Sequence, residues 1–316
     1  MMRVSTLQYF QGNIGKLTDM QARLSNLQNQ ISSGVEVQKP SDDPSRLFQG
    51  IQAQRGINRG EQLNRNISFA RNQLEQADGA LGQATNNMLE IKFRMVQAAN
   101  GTLSASDRSS IAITLQAMRE ELLQLFNQKD VSGRYLFSGT EEEQATFESD
   151  PASGVAYPVY QGQTAAAGAG GLSVEVGAGV FVRLGVLGSD SMVLQVADPL
   201  AGTPEVNVFS LLDDAVSLLN GNAPIDDIRA VAGQLDEVFE KLQNSRAALG
   251  IRMAALDANE AINDAELTSL SQLKRDSLDV DAAQAISELV QGQAQMQAFQ
   301  LSYSNIAKLS LFNFIT

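Results

Sequence analysis

The stretch Leu278–Thr316, LDVDAAQAISELVQGQAQMQAFQLSYSNIAKLSLFNFIT, decides the fold of this chain. It contains no proline and a single glycine, Gly292, so we interpret it as one helical run. Its apolar residues follow one another in steps of four and three, which is typical of a helix that packs along one seam against a second helix. The predicted seam consists of Leu278, Ala282, Ala285, Leu289, Gly292, Met296, Phe299, Tyr303 and Ile306.

The first 34 residues mirror this pattern, because apolar side chains again recur every seven residues. Each seam needs a partner, and the nearest available partner is the seam at the other end of the chain. The C-terminus also offers more apolar side chains than a two-helix seam can cover, which indicates a building block of a larger assembly. The expected assembly interface comprises Phe10, Leu17, Leu24, Ile31, Leu289, Met296, Phe299, Tyr303, Ile306 and Phe312.

Composition excludes several classes of active site. The chain has 316 residues and contains no His, no Cys and no Trp. Ser-His and Cys-His nucleophiles and all His/Cys zinc sites are therefore excluded. No other group of residues supports catalysis, so we expect no catalytic residue, no cofactor and no metal. At this length the chain can bury a sizeable core and divide into two or three domains.

The net charge of −13 is unevenly distributed along the chain. Residues 141–227 hold thirteen Asp and Glu against Arg183 alone, a net of −12, whereas both flanks are close to balanced. This step marks the middle of the chain as a distinct, solvated unit. No region combines a basic stripe with interleaved aromatic residues, so we predict no nucleic-acid partner. The most basic stretch, Arg46 to Arg71, is better explained as a solvated or interface-lining helix face.

Hydropathy predicts no membrane insertion. No apolar run approaches the roughly 20 residues that a membrane span requires. The N-terminus has neither the continuous apolar core nor the small-residue cleavage site of a secretory signal peptide. If the protein is exported, we expect it to leave by a route that needs no cleaved signal.

Helical signals dominate residues 1–140. Gly34 is placed as the C-cap glycine of the first helix, and Asp43 followed by Pro44 starts the second. We expect a third helix from about Asp107 to about Asp130. The second helix carries the cleanest heptad, with Ile67, Leu74, Leu81, Met88 and Met95 in one seam position and Ala70, Ala77, Ala84, Ile91 and Ala98 in the other.

From Tyr135 onward, frequent glycines and short β-forming runs predict a small antiparallel β domain or sandwich. Helix returns near Val206 and again near Asp226, where a seven-residue leucine repeat is interrupted by Asn263. The predicted fold is mainly α: a long heptad-patterned helical bundle with paired N- and C-terminal helices and a small inserted β domain. The predicted domains are a terminal coiled coil of 1–45 with 278–316, a helical bundle of 46–140 with 206–277, and an outer β-rich insert of 141–205.

Three motifs invite a binding interpretation, but each has a simpler explanation. The glycine-rich stretch Gly168–Gly171 lacks both the third Gly of a dinucleotide turn and the Gly-Lys-Ser/Thr of a phosphate loop. The aspartates within Asp276–Asp281 lack the Gly and terminal Glu of a calcium loop and suit a helix N-terminus better. The triplets that start at Asn66 and Asn100 fit a glycosylation acceptor, and chance accounts for them.

Two groups of residues resemble the flagellin superfamily. Ile31–Gly34 followed by Lys39–Pro44, with the sequence KPSDDP, is similar to its N-terminal signature. Asn100–Thr102 with Ser106–Arg108 fits the same superfamily. Within it, the sequence GRYLFSGT at Gly133–Thr140 resembles the hook-associated FlgL type. The match covers both terminal regions but not the middle of the chain.

The resemblance implies a structural protein of the bacterial flagellum, outside the cell, that forms a ring at the hook–filament junction and adapts the two lattices. Implied partners are further copies in the ring, the neighbouring junction protein, flagellin, and an export chaperone on the C-terminal helix during type III export. Two alternatives stay open: a flagellin filament subunit, and a flagellin-like scaffold that displays a binding or enzymatic insert. The tail Ser310–Ile315 favours the junction type over a filament flagellin.

Overall fold

The structure is a computed structural model that describes residues 2–130, 132–141, 143–149, 156–163, 172–195 and 205–312. Within these ranges, side chains are described from residue 11 to residue 304, apart from Gln195. The predicted mainly α class with a small β insert is confirmed. The helices are α1 (Met2–Ser33), α2 (Pro44–Ala98), α3 (Ala105–Phe126), α4 (Gly188–Met192), α5 (Val208–Asn220), α6 (Ile225–Leu278) and α7 (Ala282–Phe312). The strands are β1 (Phe147–Glu148), β2 (Val159–Tyr160), β3 (Ser173–Gly177), β4 (Val180–Arg183), β5 (Val193–Gln195) and β6 (Val206–Asn207).

The ends of α1 and α2 follow the predicted capping signals. Gly34 comes directly after α1 with a φ of +73°, a conformation that glycine adopts at little cost. The carboxylate of Asp43 accepts the backbone N–H groups of Ser45 and Arg46 at 2.9 and 3.0 Å. Asp43 is therefore the N-cap of α2, as predicted.

Helix α3 is shorter than predicted and starts slightly earlier. Ser104 caps it, since Ser104 Oγ accepts the Asp107 N–H at 3.2 Å and the Asp107 carboxylate accepts the Ser104 N–H at 3.1 Å. This reciprocal capping box satisfies two backbone donors of the first turn. The helix ends at Phe126 and not near Asp130, because the Asp130 carboxylate instead forms an ion pair with Arg134 at 2.9 Å in the following loop.

The predicted single helical run from Leu278 is wrong, since α6 ends at Leu278 and α7 starts only at Ala282. The Leu278 carbonyl accepts the Glu36 N–H at 2.7 Å, so this point of the chain is bonded to the loop between α1 and α2. The side chain of Asp281 then accepts two backbone N–H groups of the first turn of α7 at 3.0 and 3.1 Å. Asp281 is thus an N-cap that restarts the helix after a short break.

The chain forms two compact units, one from residues 1–60 with 265–316 and the other from residues 61–264. The core of the second unit contains the predicted heptad positions of α2 and α6, which are all at most 2% exposed. These residues are Ile67, Ala70, Leu74, Ala77, Leu81, Ala84, Met88, Ile91, Met95 and Ala98 in α2, and Ile228, Leu235, Leu242, Leu249 and Leu256 in α6. The finer division into three domains stays a prediction.

The strands in the described part of the chain form three separate antiparallel pairs, β1 with β2, β3 with β4 and β5 with β6, and not one sandwich. Their inward side chains, among them Val176, Val182 and Val193, are buried in the same apolar cluster as the helix heptads. Asn66 of α2 also donates its Nδ2 proton to the Glu175 carbonyl at 2.8 Å, which fixes β3 against the helix. The strand pairs therefore share the core of the helical unit.

The GRYLFSGT segment packs into this core through aromatic contacts. The ring centroid of Phe137 lies 4.8 Å from that of Phe126, which lies 6.1 Å from that of Phe147. Gly139 has a φ of +73°, and a Cβ atom there would lie 2.7 Å from a methyl group of Leu187. Both observations require glycine at this position. The motif that carries the family resemblance is thus a structural element of the core.

The polar residue that interrupts the α6 heptad is satisfied inside the second unit. Asn263 is buried, and its Nδ2 donates to Asn64 Oδ1 at 2.6 Å. Asn64 in turn donates its own Nδ2 proton to the Asp264 carboxylate at 2.9 Å. A buried polar group that is paired in this way fixes the register of two helices and avoids the cost of an unmade hydrogen bond.

Candidate assembly surface

The terminal helices α1 and α7 pack against each other along one seam in the first unit. In each helix, the apolar side chains that are at least half-buried recur in steps of mainly four and three, whereas most of the side chains between them are exposed. This pattern is typical of a two-helix coiled coil. We call the following residues the terminal seam: Asn13, Leu17, Met20, Leu24, Leu27 and Ile31 of α1, and Ala285, Leu289, Gly292, Met296, Phe299 and Tyr303 of α7.

The structure places seven of the predicted interface residues on the terminal seam, and these are Leu17, Leu24, Ile31, Leu289, Met296, Phe299 and Tyr303. The side chains of Phe10, Ile306 and Phe312 lie outside the described residues. Two residues of the predicted α7 seam do not belong to it. Ala282 is exposed at the start of α7, and Leu278 ends α6 and contacts Gly50 of α2 instead.

Leu24 packs closely on Gly292 within the terminal seam. A Cβ atom at position 292 would lie 2.8 Å from Leu24 Cδ2, so the leucine occupies the space that a side chain would need. Beside this contact, Arg23 and Glu288 form an exposed ion pair at 3.5 Å. Exposed ion pairs contribute about 0–1 kcal/mol, so apolar packing stabilises the helix pair more than charge does.

Burial along the terminal seam is incomplete. Leu24 at 8% and Ala285 at 5% exposure are its most buried side chains, and the other apolar members keep part of their surface in solvent. Two grooves of about 210 and 120 Å³ run beside the seam and share Leu27 and Glu288. The terminal seam therefore leaves apolar surface that the two helices do not cover between them.

A second apolar face on α7 was missed by sequence reasoning. Ile286, Val290 and Leu301 are exposed, the last two by 61% and 68%. At 3.6 residues per turn they lie roughly 130° around the helix from the terminal seam. We call these three residues the outer stripe. A count of apolar residues on more than one helix face would have found it, because the outer stripe does not follow the heptad of the terminal seam.

The loop that follows α1 is held rigidly within the first unit. Asp42 accepts the backbone N–H groups of Lys39 and Gln38 at 3.0 and 3.2 Å, and these bonds keep the pKa of its carboxyl below the usual range. Arg46 donates its Nε proton to the Ser277 carbonyl at 3.0 Å and forms an ion pair with Glu36 at 2.8 Å. Arg46, two residues after the KPSDDP signature, thus fastens the start of α2 to the end of α6.

The arginines at the two ends of the basic stretch of α2 are paired with carboxylates. Arg46 is paired with Glu36, and Arg71 bonds both Asp257 and Glu260 of α6 at 2.7 and 2.6 Å. These carboxylates raise the pKa of Arg71 further. The two ends of the stretch therefore serve helix packing.

The buried carboxyl of Glu205 belongs to a structural cluster at the start of α5. Glu205 is 6% exposed and accepts hydrogen bonds from Asn207 Nδ2 at 2.5 Å and from the Tyr160 N–H at 3.1 Å. Burial nevertheless holds the pKa of the Glu205 carboxyl above its ordinary value. Asn207 is occupied as the N-cap of α5.

Neither a metal site nor a membrane span is found in the part of the chain that the structure describes. No three His, Cys, Asp or Glu side chains there are grouped to hold a metal ion. No helix there has the length and apolarity of a membrane span.

Comparison with known proteins identifies the family. The family model described as bacterial flagellin N-terminal helical region matches residues 4–142. The chain is 30% identical to flagellar hook-associated protein 3 of Escherichia coli (strain K12), and the match covers 98% of this chain and 99% of that protein. Phase 1 flagellin of Salmonella naestved is also 30% identical, but over 39% of this chain and 24% of its own length.

The fold agrees with this relationship. The structure of the flagellar junction protein FlgL from Legionella pneumophila superimposes with a TM-score of 0.59 at 17% identity, covering 73% of this chain and all of that one. The match to flagellin covers 39% of this chain, whereas the match to hook-associated protein 3 covers 98% of it. The extent of the match therefore distinguishes the hook-associated type from flagellin. This chain therefore belongs to the family of flagellar hook-associated protein 3.

Proposed function

We propose that this chain is a structural subunit of the bacterial flagellum that forms a ring at the hook–filament junction and adapts the hook lattice to the filament lattice. One observation carries the proposal: the match to hook-associated protein 3 spans 98% of this chain, whereas flagellin matches 39% of it. A filament flagellin is therefore the weaker alternative. Nothing in the described residues favours an enzymatic or ligand-binding insert.

The terminal seam and the outer stripe supply the assembly surface in this proposal. The half-buried seam residues Leu17, Met296 and Phe299 need further apolar neighbours to complete their burial. Heterologous contacts between copies in a ring provide such neighbours at every interface without a change in the chain. Phe10 and Ile306 extend the same heptads toward the chain ends, so we include them in the interface. Phe312 lies off the heptad, and we include it as one of the apolar side chains that the C-terminal segment offers beyond a single seam.

The outer stripe suits the partners that are expected before and after assembly. Val290 and Leu301 would expose apolar surface on α7 while the chain is free, and a helix with such a face binds in an apolar groove of a partner. During export this partner would be a chaperone that covers the C-terminal helix. In the assembled flagellum the partners would be further copies, the neighbouring junction protein and flagellin.

Immunogold labelling of isolated flagella tests the proposed position. Antibodies against this chain should label a single band at the filament end of the hook. An antibody against the flagellin of the same strain serves as the control, because it should label the whole filament. Label from the present chain along the filament would contradict the junction function and favour the flagellin alternative.

A further inference from the structure

The chain contains two Asn-Gly pairs, Asn100-Gly101 and Asn220-Gly221. Asn100 lies between α2 and α3, and Asn220 is the last residue of α5. Both asparagines are exposed. In an Asn-Gly pair the backbone nitrogen of the glycine can attack the side-chain amide, because glycine has no Cβ to obstruct the approach. Exposure and the Asn-Gly sequence are therefore the same at both sites and do not predict which asparagine reacts faster.

The two sites differ in the hydrogen bonding of the glycine N–H. The Gly221 N–H donates to the Ser217 carbonyl at 2.8 Å, so this nitrogen is fixed in the C-terminal turn of α5. The Gly101 N–H makes no hydrogen bond within the described ranges of the chain. The attacking nitrogen is thus free beside Asn100 and restrained beside Asn220.

The surroundings of the Asn100 amide also favour attack. Asn100 Oδ1 accepts two hydrogen bonds from Thr102, one from the backbone N–H at 3.1 Å and one from the hydroxyl at 3.0 Å. When a nucleophile adds to the amide carbon, negative charge develops on this oxygen. Donors that already point at the oxygen stabilise that charge, as in an oxyanion hole.

We propose that Asn100 is a site of spontaneous deamidation, whereas Asn220 is protected. The Gly101 nitrogen loses its proton and forms a bond to Asn100 Cγ, the Cγ–Nδ2 bond breaks, and Nδ2 leaves as ammonia with that proton. The resulting succinimide then adds water. Opening of the ring at Cγ gives Asp, and opening at the main-chain carbonyl carbon of residue 100 gives isoaspartate.

The two products differ in how well the turn accommodates them. Asp keeps an oxygen that can accept both hydrogen bonds from Thr102. Isoaspartate adds a methylene group to the main chain where space is short, since a Cβ atom on Gly101 would lie 3.0 Å from Ile225 Cδ1. The isoaspartate form should therefore unfold at a lower temperature than the variant Asn100→Asp.

Peptide mapping by mass spectrometry tests the proposal on the purified full chain, aged in mildly alkaline buffer. The readout is the mass increase that replacement of NH by O brings to each peptide. Asn100 should convert roughly tenfold faster than Asn220, because the latter requires the hydrogen bond of Gly221 to open first. In strong denaturant the two pairs become equivalent, so the ratio of their rates should fall toward unity.

The isosteric variant Thr102→Val provides a second measurement. It should slow the native conversion of Asn100 several-fold, since one donor to Oδ1 is lost, and should leave the rate in denaturant unchanged. An unchanged native rate in this variant would overturn the assigned role of the Thr102 hydroxyl. Conversion of Asn220 as fast as Asn100 in the native chain would overturn the proposal, and so would an Asn100 that converts only in denaturant.

Discussion

Leu24 of α1 packs so closely on Gly292 of α7 that a Cβ atom at position 292 would lie 2.8 Å from Leu24 Cδ2. A glycine inside a helix costs about 1 kcal/mol relative to alanine. At Gly292 this cost is offset by the close approach of the two terminal helices, which lets Leu24 become the most buried apolar side chain of α1 among those described. The pair therefore sets the spacing of the terminal seam.

Substitution Gly292→Leu should separate α1 from α7, because the added side chain needs the space that Leu24 fills. We expect less helix by far-UV circular dichroism in the isolated variant. We also expect loss of attached filaments when the variant is expressed in a strain that lacks the gene for this chain. The matched control is Gly15→Leu in α1, where a Cβ atom meets nothing within 4 Å. Equal helix content in both variants would show that the contact with Leu24 is unimportant.

A charge on the terminal seam should abolish assembly. Leu24→Asp or Phe299→Asp places a carboxylate where assembly removes water, at a cost of several kcal/mol. Secreted protein with a folded second unit but without attached filaments is the expected phenotype, scored by swimming and electron microscopy. Ser302→Asp adds the same charge to an exposed position of α7 that lies off both the terminal seam and the outer stripe, and this variant should swim normally. Normal swimming of both seam variants would refute the seam assignment.

The Asn64–Asn263 hydrogen bond should behave as a coupled pair in the second unit. Asn263→Ala removes a buried partner and leaves Asn64 Oδ1 without it, so we expect a loss of about 1–3 kcal/mol in the free energy of unfolding. The double variant Asn64→Leu with Asn263→Leu removes both partners and should lie within about 1 kcal/mol of the wild type. The single variants Asn64→Leu and Asn263→Leu complete a double-mutant cycle that urea denaturation measures, and a double-variant loss equal to the sum of the two single losses would show that the residues are not coupled.

Glu205 should make the second unit more stable as the pH falls from neutrality. Its pKa is higher in the folded chain than in the unfolded chain, because burial disfavours the ionised carboxylate. The unfolded state therefore binds fewer protons between the two pKa values, and the free energy of unfolding rises as the pH drops through the folded pKa. Below the unfolded pKa the gain is complete.

The variant Glu205→Gln isolates this contribution from that of other carboxyls. Its amide oxygen can still accept from Asn207 and from the Tyr160 N–H, but it does not titrate. The stability difference between variant and wild type should shrink as the pH falls from neutral to mildly acidic. A difference that stays constant over this range would show that Glu205 keeps its ordinary pKa.

The heptads could be predicted from the sequence because their period is local information. Ile67 and Leu256 are buried as expected, since a seven-residue repeat places them on one face of a helix regardless of its partner. The capping signals at Asp43 and Gly34 are equally local, because a side chain or a φ angle within a few residues decides them. The mainly α class could therefore be predicted from these local features.

Other features depend on contacts between distant residues and could not be predicted. The break before Ala282 depends on the bond between the Leu278 carbonyl and Glu36, and only the N-cap residue Asp281 signalled it. The pairing of the strands and the burial of Val176 depend on helices far away in sequence. The outer stripe was missed because apolar residues were counted along one seam of α7 only.

Hydrogen exchange measured by mass spectrometry on the free chain and on isolated hook–junction complexes tests whether assembly completes the burial of the terminal seam. We expect α1 and α7 to exchange much faster than the buried part of α2 in the free chain, because the terminal seam is only half-buried. Both helices should gain strong protection in the complex, while the second unit changes little. Protection of α1 and α7 in the free chain equal to that of α2, with no gain on assembly, would contradict the claim.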